Sequence, residues 1–169
     1  MCVVMRILIL LRHAKAVPAD DAPSDEARGL SSRGLLEADL AGAALAAAGL
    51  GVTRALVSPA VRTRQTWAKA SLHLPGVEAK TVDALYMASP EVLFQQALAA
   101  DSEAVLVIAH NPGLHELIRH LVDQSHDRSN AAQIARAHCP TSAWAAFSLT
   151  GVTLQAPGPR FLAAWRPRD

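Results

Sequence analysis

The stretch Ile7-Leu8-Ile9-Leu10-Leu11-Arg12-His13 decides the fold that this sequence predicts. Its aliphatic residues follow one another without polar alternation, so residues 6–11 are expected to form a strand buried on both faces of a parallel sheet. Arg12 and His13 come directly after this strand and are therefore expected at the carboxyl edge of the sheet. Open α/β folds bind their ligands at that edge, and a cation beside an imidazole there indicates a site for an anion.

Two later apolar runs end in polar residues in the same way. Residues 54–57 predict a short strand that opens into the segment 58–62, and residues 104–109 predict the clearest strand of the chain. The carboxyl ends of parallel strands meet at one edge, so the basic side chains behind these three strands are expected to share one anion-binding pocket. These side chains are Arg12, His13, Arg62 and His110.

The rest of the chain alternates between helical and extended patterns. Helices are expected from Ser31 or Ser32 to about Ala48, from Pro59 to about Leu72, from Pro90 to Ala100 and from about Gly113 to Val122; further strands are expected over 77–82, 142–149 and 160–165. Residues 17–29 predict a surface loop with solvated acidic residues, and the polar segment 124–137 fits no single pattern. This order predicts one domain over residues 1–169, a three-layer α/β/α fold whose mostly parallel sheet has an antiparallel edge.

Composition excludes several classes of partner. The chain has 169 residues and a formal net charge of +1, so neither nucleic acid nor an anionic membrane surface is expected to bind it. No apolar run approaches the roughly 18 residues that cross a bilayer, and the N-terminus lacks the pattern of a signal peptide. Cys2 and Cys139 lie far apart, which favours a reduced, cytoplasmic protein without a zinc site. The sequence does not indicate an oligomeric state.

The segment after the second strand is suited to holding a phosphate. A helix that begins at Pro59 directs its free N–H groups toward the sheet edge, where they favour a bound anion. Arg62 lies in the first turn of that helix and adds a planar, bidentate donor for phosphate oxygens. Arg64 lies about 200° further around the helix and is therefore expected to point away from the pocket.

The two histidines have complementary uses in phosphoryl transfer. His13 stands beside Arg12, and neighbouring guanidinium groups disfavour the charged form of an imidazole. A neutral imidazole keeps a lone pair and can attack phosphorus. His110 is expected to donate a hydrogen bond to a phosphoryl oxygen and to share the charge of the transition state. The combination is typical of a phosphatase.

Three motifs, in this order, resemble those of the histidine phosphatase superfamily, whose fold is that of phosphoglycerate mutase. They are Leu11-Arg12-His13-Ala14, Ser58-Pro59-x-x-Arg62-x-x-Gln65-Thr66 and Ala109-His110-Asn111-Pro112. The segment Arg28-Gly29-Leu30-Ser31-x-x-Gly34 looks like the loop before the first helix of that family. The short chain and the segment Pro140-Thr141-Ser142-Ala143 are most similar to the SixA-type phosphohistidine phosphatases.

The resemblance implies a two-step reaction that needs neither a metal nor a cofactor. His13 would accept the phosphoryl group, and water would then release phosphate. The oxygens of the group would be held by Arg12, Arg62 and His110, whose guanidinium groups supply the positive charge that Mg²⁺ supplies in other enzymes. The resemblance also places Arg28 and Ser58 at the rim of the substrate site.

The sequence departs from the family pattern at two points. The usual Arg-His-Gly is Arg12-His13-Ala14 here. The glutamate acid that phosphomonoesterase members carry after the third strand is not evident, and Asp83 is the best candidate for a proton donor. A weak acid suits a substrate whose leaving group departs easily, so this departure favours phosphohistidine over a sugar phosphate.

We therefore expect a phosphatase that hydrolyses phosphohistidine in a phosphorylated protein. A phosphomonoesterase acting on a small phosphate ester is the first alternative. A non-catalytic reader of phosphorylated partners is the second, although a reader would need the arginines but not the nucleophile. Phosphoglycerate mutase activity is disfavoured, because mutases enclose their substrates with longer insertions than this chain contains.

Overall fold

The computed structural model describes residues 7–149 and 158–168, which build a six-stranded sheet flanked by helices. The strands are β1 (Ile7–Arg12), β2 (Arg54–Val57), β3 (Glu78–Thr81), β4 (Ala104–Ala109), β5 (Trp144–Ser148) and β6 (Arg160–Trp165). The helices are α1 (Ser32–Ala47), α2 (Val61–Ala70), α3 (Pro90–Leu98), α4 (Gly113–Ser125) and α5 (Asn130–Ala137). No helix within these described ranges has the length and apolar character needed to span a membrane.

The strands are ordered β3-β2-β4-β1-β5-β6 across the sheet. Strands β1 to β4 are mutually parallel, whereas β5 runs antiparallel to both β1 and β6. β1 pairs with β4 from Ile7 opposite Ala104 to Arg12 opposite Ala109, so the carboxyl ends of the two strands coincide. The expected α/β class, with a mostly parallel sheet and an antiparallel edge, is confirmed.

Strand β1 is buried on both faces, as its unbroken aliphatic run predicts. Leu8 and Leu10 pack into a cluster that includes residues of α3, α4 and α5, and Ile9 and Leu11 pack into a second cluster with residues of α1. All four side chains are fully buried. Each such burial contributes about 1.5–3 kcal/mol relative to exposure, so the two clusters hold the central strand, and with it the sheet edge, in one register.

Helix α2 begins later than expected. It starts at Val61 with Ala60 as its N-cap, so Pro59 precedes the helix instead of occupying its first position. The expected helical start at Pro59 is wrong because Ala60 has extended ψ, near 145°, which delays the first helical turn. The helix still places Arg62 in its first turn, and a short 3₁₀ turn over Ser71–His73 replaces its expected last residues.

The polar segment 124–137 is largely helical. Helix α4 continues to Ser125 and α5 covers Asn130–Ala137, with the Ser129 side chain accepting a bond from the Ala132 N–H. Ser129 is thus an N-cap signal that the sequence pattern alone did not single out. Strand β5 begins at Trp144 because Ser142, with φ 64°, lies in a turn. Residue 6, Gly151 and most of the turn before β6 lie outside the described residues.

Candidate active site

Backbone hydrogen bonds fix Arg12 and His13 at the carboxyl edge of the sheet. The Arg12 N–H donates to the Ala143 carbonyl at 3.0 Å, and the His13 N–H donates to the Ala109 carbonyl at 3.2 Å. The Ser142 N–H donates in return to the carbonyls of both residues, at 3.2 Å each. Both side chains therefore project from backbone that is bonded on two sides.

The four basic side chains predicted for the pocket lie together at this edge. The ring centroids of His13 and His110 are 5.2 Å apart. The Nη2 atom of Arg62 lies 3.3 Å from Nδ1 of His110. The Arg12 guanidinium donates to the Cys139 carbonyl at 3.0 Å, and its charge contributes to lowering the pKa of both imidazoles. Three strand ends thus supply one cationic cluster.

His13 is held in one tautomer by its own segment. Its Nδ1 lies 2.8 Å from the Ala14 carbonyl, which can only accept, so Nδ1 carries the hydrogen. The Nε2 atom therefore keeps a lone pair, and within the described residues no hydrogen bond occupies it. An imidazole in this arrangement can use its free nitrogen as a nucleophile.

Burial keeps both imidazoles neutral. Desolvation is the largest cause that lowers the pKa of His13 to about 3, with further lowering by the charges of His110, Arg62 and Arg12 and opposition from the Ala14 carbonyl bond. The pKa of His110 falls to about 4, again chiefly through desolvation and then through the Arg62 charge. At neutral pH the positive charge of the cluster therefore lies on the arginines, and His13 keeps its lone pair.

The lowered pKa values of the two imidazoles should be visible in the pH dependence of the reaction. Because the free-enzyme pKa values of His13 and His110 are about 3 and about 4, kcat/KM for an aryl phosphate should persist well below 6.5, the ordinary pKa of histidine. Activity should then fall as these imidazoles gain protons in more acidic solution. The check is kcat/KM against pH, corrected for ionisation of the substrate. An acid limb centred near 6.5 would show that the imidazoles are not desolvated as described.

Both ring nitrogens of His110 have a hydrogen-bond partner. Its Nε2 lies 2.7 Å from Oγ of Ser58, and its Nδ1 faces the Arg62 guanidinium. Because a guanidinium only donates, Nδ1 accepts and Nε2–H donates to Ser58 in this state. The placement of Ser58 at the substrate rim is therefore wrong. Its side chain is fully buried behind His110, where it supports the ring.

Arg62 is buried, with only 3% of its surface exposed, and its guanidinium is bonded to one loop residue. Nη1 donates to the backbone carbonyl of Asp25 at 2.5 Å, and Nη2 donates to the Asp25 carboxylate at 2.8 Å. Arg64 is exposed, as the helical spacing requires. The planar donor group of Arg62 is thus fixed between the loop on one side and His110 on the other.

Asp25 is a site residue that sequence reasoning missed. The pattern of residues 17–29 indicated a solvated loop, yet the Asp25 carboxylate accepts bonds from Arg62, Arg28 and Tyr86. The bond from Tyr86 is the largest cause that lowers the pKa of Asp25, followed among the lowering causes by the bonds from Arg28 and Arg62. No local pattern reveals these contacts, because Arg62 and Tyr86 lie 37 and 61 residues away.

Of the two residues Asp83 and Tyr86, which both come after β3, only the side chain of Tyr86 contacts the site. The Tyr86 hydroxyl donates to Asp25 at 2.8 Å, and its ring meets the His110 ring edge-on at 5.4 Å. Asp83 lies exposed in the 3₁₀ turn Asp83–Leu85, and no described hydrogen bond or ion pair joins its carboxylate to the cluster. The structure therefore gives no support to Asp83 as a proton donor. The side chain of Arg28, 26% exposed, donates to Asp25 and to the Val17 carbonyl, and its expected place at the substrate rim stays a prediction.

Removing the charge of Asp25 should strengthen anion binding. In Asp25→Asn, a bound oxyanion no longer faces a carboxylate that is bonded to the same arginine, Arg62. The inhibition constant of inorganic phosphate as a competitive inhibitor should therefore fall about tenfold. The inhibition constant measures this directly, and Asp83→Asn serves as the matched control that should leave it unchanged. Weaker inhibition in Asp25→Asn would show instead that the carboxylate is needed to orient the guanidinium.

Comparison with solved structures finds proteins whose whole chains are similar to this one. A protein named phosphohistidine phosphatase SixA from Nakamurella multipartitia is 29% identical, with 97% of each chain covered and a TM-score of 0.82. A protein of the same name from Agrobacterium tumefaciens is 25% identical, with 96% of this chain and 99% of that chain covered and a TM-score of 0.79. The protein histidine phosphatase SixA, solved in complex with tungstate, is 25% identical over 94% of this chain and 95% of its own, with a TM-score of 0.72.

These similarities confirm two expectations from the sequence. The chain has the recognised resemblance to the histidine phosphatase superfamily and to its SixA-type branch, and it falls among phosphatases. No protein-family model matches the chain, and no curated protein sequence matches it either. The likeness is therefore one of whole-chain structure, with 25–29% of the residues identical in these three proteins.

Proposed function

We propose that this phosphatase of the histidine phosphatase superfamily hydrolyses phosphohistidine in a phosphorylated protein through a covalent intermediate on His13. One observation carries the proposal. The Nε2 lone pair of His13 is free while Nδ1 is bonded to the Ala14 carbonyl, and this nitrogen belongs to a cluster that includes two arginines. A neutral nucleophile beside fixed positive charge is what an in-line attack on a phosphoryl group requires.

The first step transfers the phosphoryl group to His13. Nε2 donates its lone pair to phosphorus as the P–N bond of the substrate breaks. The departing imidazole keeps the electron pair of that broken bond and takes a proton from solvent. In the second step, a water oxygen bonds to phosphorus, the electron pair of the broken P–N bond returns to Nε2, and phosphate is released as the attacking water loses a proton to solvent. In both steps the negative oxygens are held by the guanidinium groups of Arg12 and Arg62, which replace the charge of a metal ion.

His110 takes part through a change of its hydrogen-bond partners. When a phosphoryl oxygen takes the Arg62 N–H that faces His110, Nδ1 of His110 loses this donor. The Ser58 hydroxyl can then donate to Nε2, because either atom of that pair can be the donor. Nδ1 would carry the hydrogen and donate it to the same phosphoryl group. The buried Ser58 is thus proposed to set the tautomer of His110.

The surroundings of the leaving group favour a phosphoramidate over a phosphate ester. Asp83 is exposed outside the cluster, and the hydroxyl that lies in the site belongs to Tyr86, whose pKa is raised above its ordinary value by its bond to Asp25. Such a hydroxyl is a poor acid, and an alkoxide leaving group needs a good one. An imidazole departs with less help, so the site is better matched to phosphohistidine. We place the reaction in the cytoplasm, an assignment that rests on the small number and wide spacing of the cysteines, Cys2 and Cys139.

A substrate comparison tests the proposal. The values of kcat/KM should be measured for a histidine-phosphorylated protein, an aryl phosphate and a set of sugar phosphates, with His13→Ala as the blank. We expect phosphohistidine to exceed the sugar phosphates by at least about 10²-fold, because only the latter require a strong acid. Equal or higher values for a sugar phosphate would assign the enzyme to small metabolites. Phosphate binding without turnover would indicate a reader of phosphorylated partners.

A further inference from the structure

A groove that the phosphoryl chemistry does not use lies between α1 and the end of β6. It is a cavity of about 580 Å³, and we call it the α1–β6 groove; its walls include Arg33, Leu36, Leu40, Trp165, Arg166 and Arg168. Leu36 and Leu40 are 69% and 55% exposed, although large apolar side chains are usually covered. They lie four residues apart and therefore form one stripe along the helix.

The rim of the α1–β6 groove is positively charged. Arg166 and Arg168 are exposed, and no ion pair is found for either within the described residues. Arg33 donates through Nε to the buried carboxylate of Glu37, while its side chain remains 68% exposed. Among the described residues that line the groove, three arginines and one glutamate leave an excess of two positive charges.

The groove opens at the same edge of the sheet as the nucleophile. β6 runs in the direction of β1, and Trp165 pairs with Trp144, which pairs in turn with Leu11. The end of β6 is therefore two strand spacings, roughly 10 Å, from the end of β1. The Thr141 hydroxyl donates to the Glu37 carboxylate, and the next residue, Ser142, bonds the carbonyls beside the nucleophile.

We propose that the α1–β6 groove docks an acidic amphipathic helix of the phosphorylated protein substrate. The leucine stripe would receive the apolar face of such a helix, and the arginines would pair with acidic side chains along its flanks. A helix with its side chains is about 10–12 Å across, so a docked helix reaches from the groove to the catalytic edge. This inference rests on the proposed function, since a small substrate has no use for a surface at this distance.

Two synthetic helical peptides provide the probe. Both carry one phosphohistidine and a leucine stripe, and they differ in having glutamate or lysine along the flanks. The wild-type protein should show a kcat/KM about tenfold higher for the acidic peptide, chiefly through KM, as expected for a few paired charges at a partly exposed rim. The double variant Arg166→Glu with Arg168→Glu should lose or invert this preference. Neither variant residue belongs to the catalytic cluster, so turnover of an aryl phosphate should not change.

The leucine stripe is tested by a matched pair of substitutions. Leu36→Glu should lower kcat/KM for the acidic peptide about tenfold, whereas Leu72→Glu, equally exposed at 69% but outside the groove, should leave it unchanged. Equal rates for the two peptides, or equal effects of the two leucine variants, would overturn the docking surface while leaving phosphohistidine hydrolysis intact. Failure of wild-type protein to hydrolyse either peptide, with aryl phosphate still turned over, would instead count against the proposed function.

Discussion

His13→Ala should lower kcat/KM for an aryl phosphate by at least about 10⁴-fold, because it removes the atom that bonds to phosphorus. The residual rate would come from the arginines, which can still bind and polarise the phosphoryl group for direct attack by water. The side chain of His13 makes one described hydrogen bond, to the adjacent Ala14 carbonyl, so its loss should leave the fold intact. The measurement is steady-state turnover combined with thermal unfolding of the same preparation.

A matched variant separates the nucleophile from general damage to the pocket. His115→Ala removes an imidazole that lies on α4 and bonds the Arg136 carbonyl, away from the described cluster. We expect it to retain turnover close to the wild-type value. If His13→Ala kept more than about a tenth of the wild-type kcat/KM, the nucleophile would have to be assigned elsewhere.

Arg62→Met should have the next largest effect, a loss of about 10²- to 10³-fold in kcat/KM. The substitution keeps an unbranched side chain in the first turn of α2 but removes the donors that face the phosphoryl oxygens. Arg62→Lys should recover only part of this loss, since an ammonium cannot reproduce the planar, bidentate geometry of a guanidinium. Both kcat and KM should change, because the group binds the ground state and the transition state.

The control for this prediction lies on the same helix. Arg64→Met removes an equal charge from an exposed position two residues later, so it tests whether overall positive charge is sufficient. We expect Arg64→Met to differ from the wild-type protein by less than about twofold, since exposed charges at this distance are largely screened. Equal losses in the two methionine variants would mean that α2 contributes only a general electrostatic field.

The sheet and four basic residues were predictable because their signals are local. An unbroken aliphatic run predicts a doubly buried strand, and the residue behind such a strand must lie at the carboxyl edge. This reasoning located His13 and His110 correctly, and the helical spacing separated Arg62 from Arg64. The start of α2 was misplaced by two residues, because a proline at a helix start and a proline just before one produce the same sequence pattern.

The parts that could not be predicted depend on contacts between distant segments. In the sequence, Asp25 resembles any solvated acidic residue, because Arg62 and Tyr86 contact it only in the folded chain. Tyr86 was overlooked in favour of Asp83 because a search for a proton donor favours carboxyl groups, and the turn that exposes Asp83 has no clear sequence signal. The rim placement of Ser58 was wrong because a motif does not reveal that His110 covers this side chain in the folded chain.

The stereochemical course at phosphorus tests the central claim most directly. An aryl phosphorothioate that is chiral through oxygen isotopes should be hydrolysed in isotopically labelled water, and the configuration of the released thiophosphate determined. Transfer first to His13 and then to water consists of two in-line displacements, each of which inverts phosphorus, so we predict overall retention. Overall inversion would mean that water attacks the substrate in a single step, and the covalent intermediate on His13 would be contradicted.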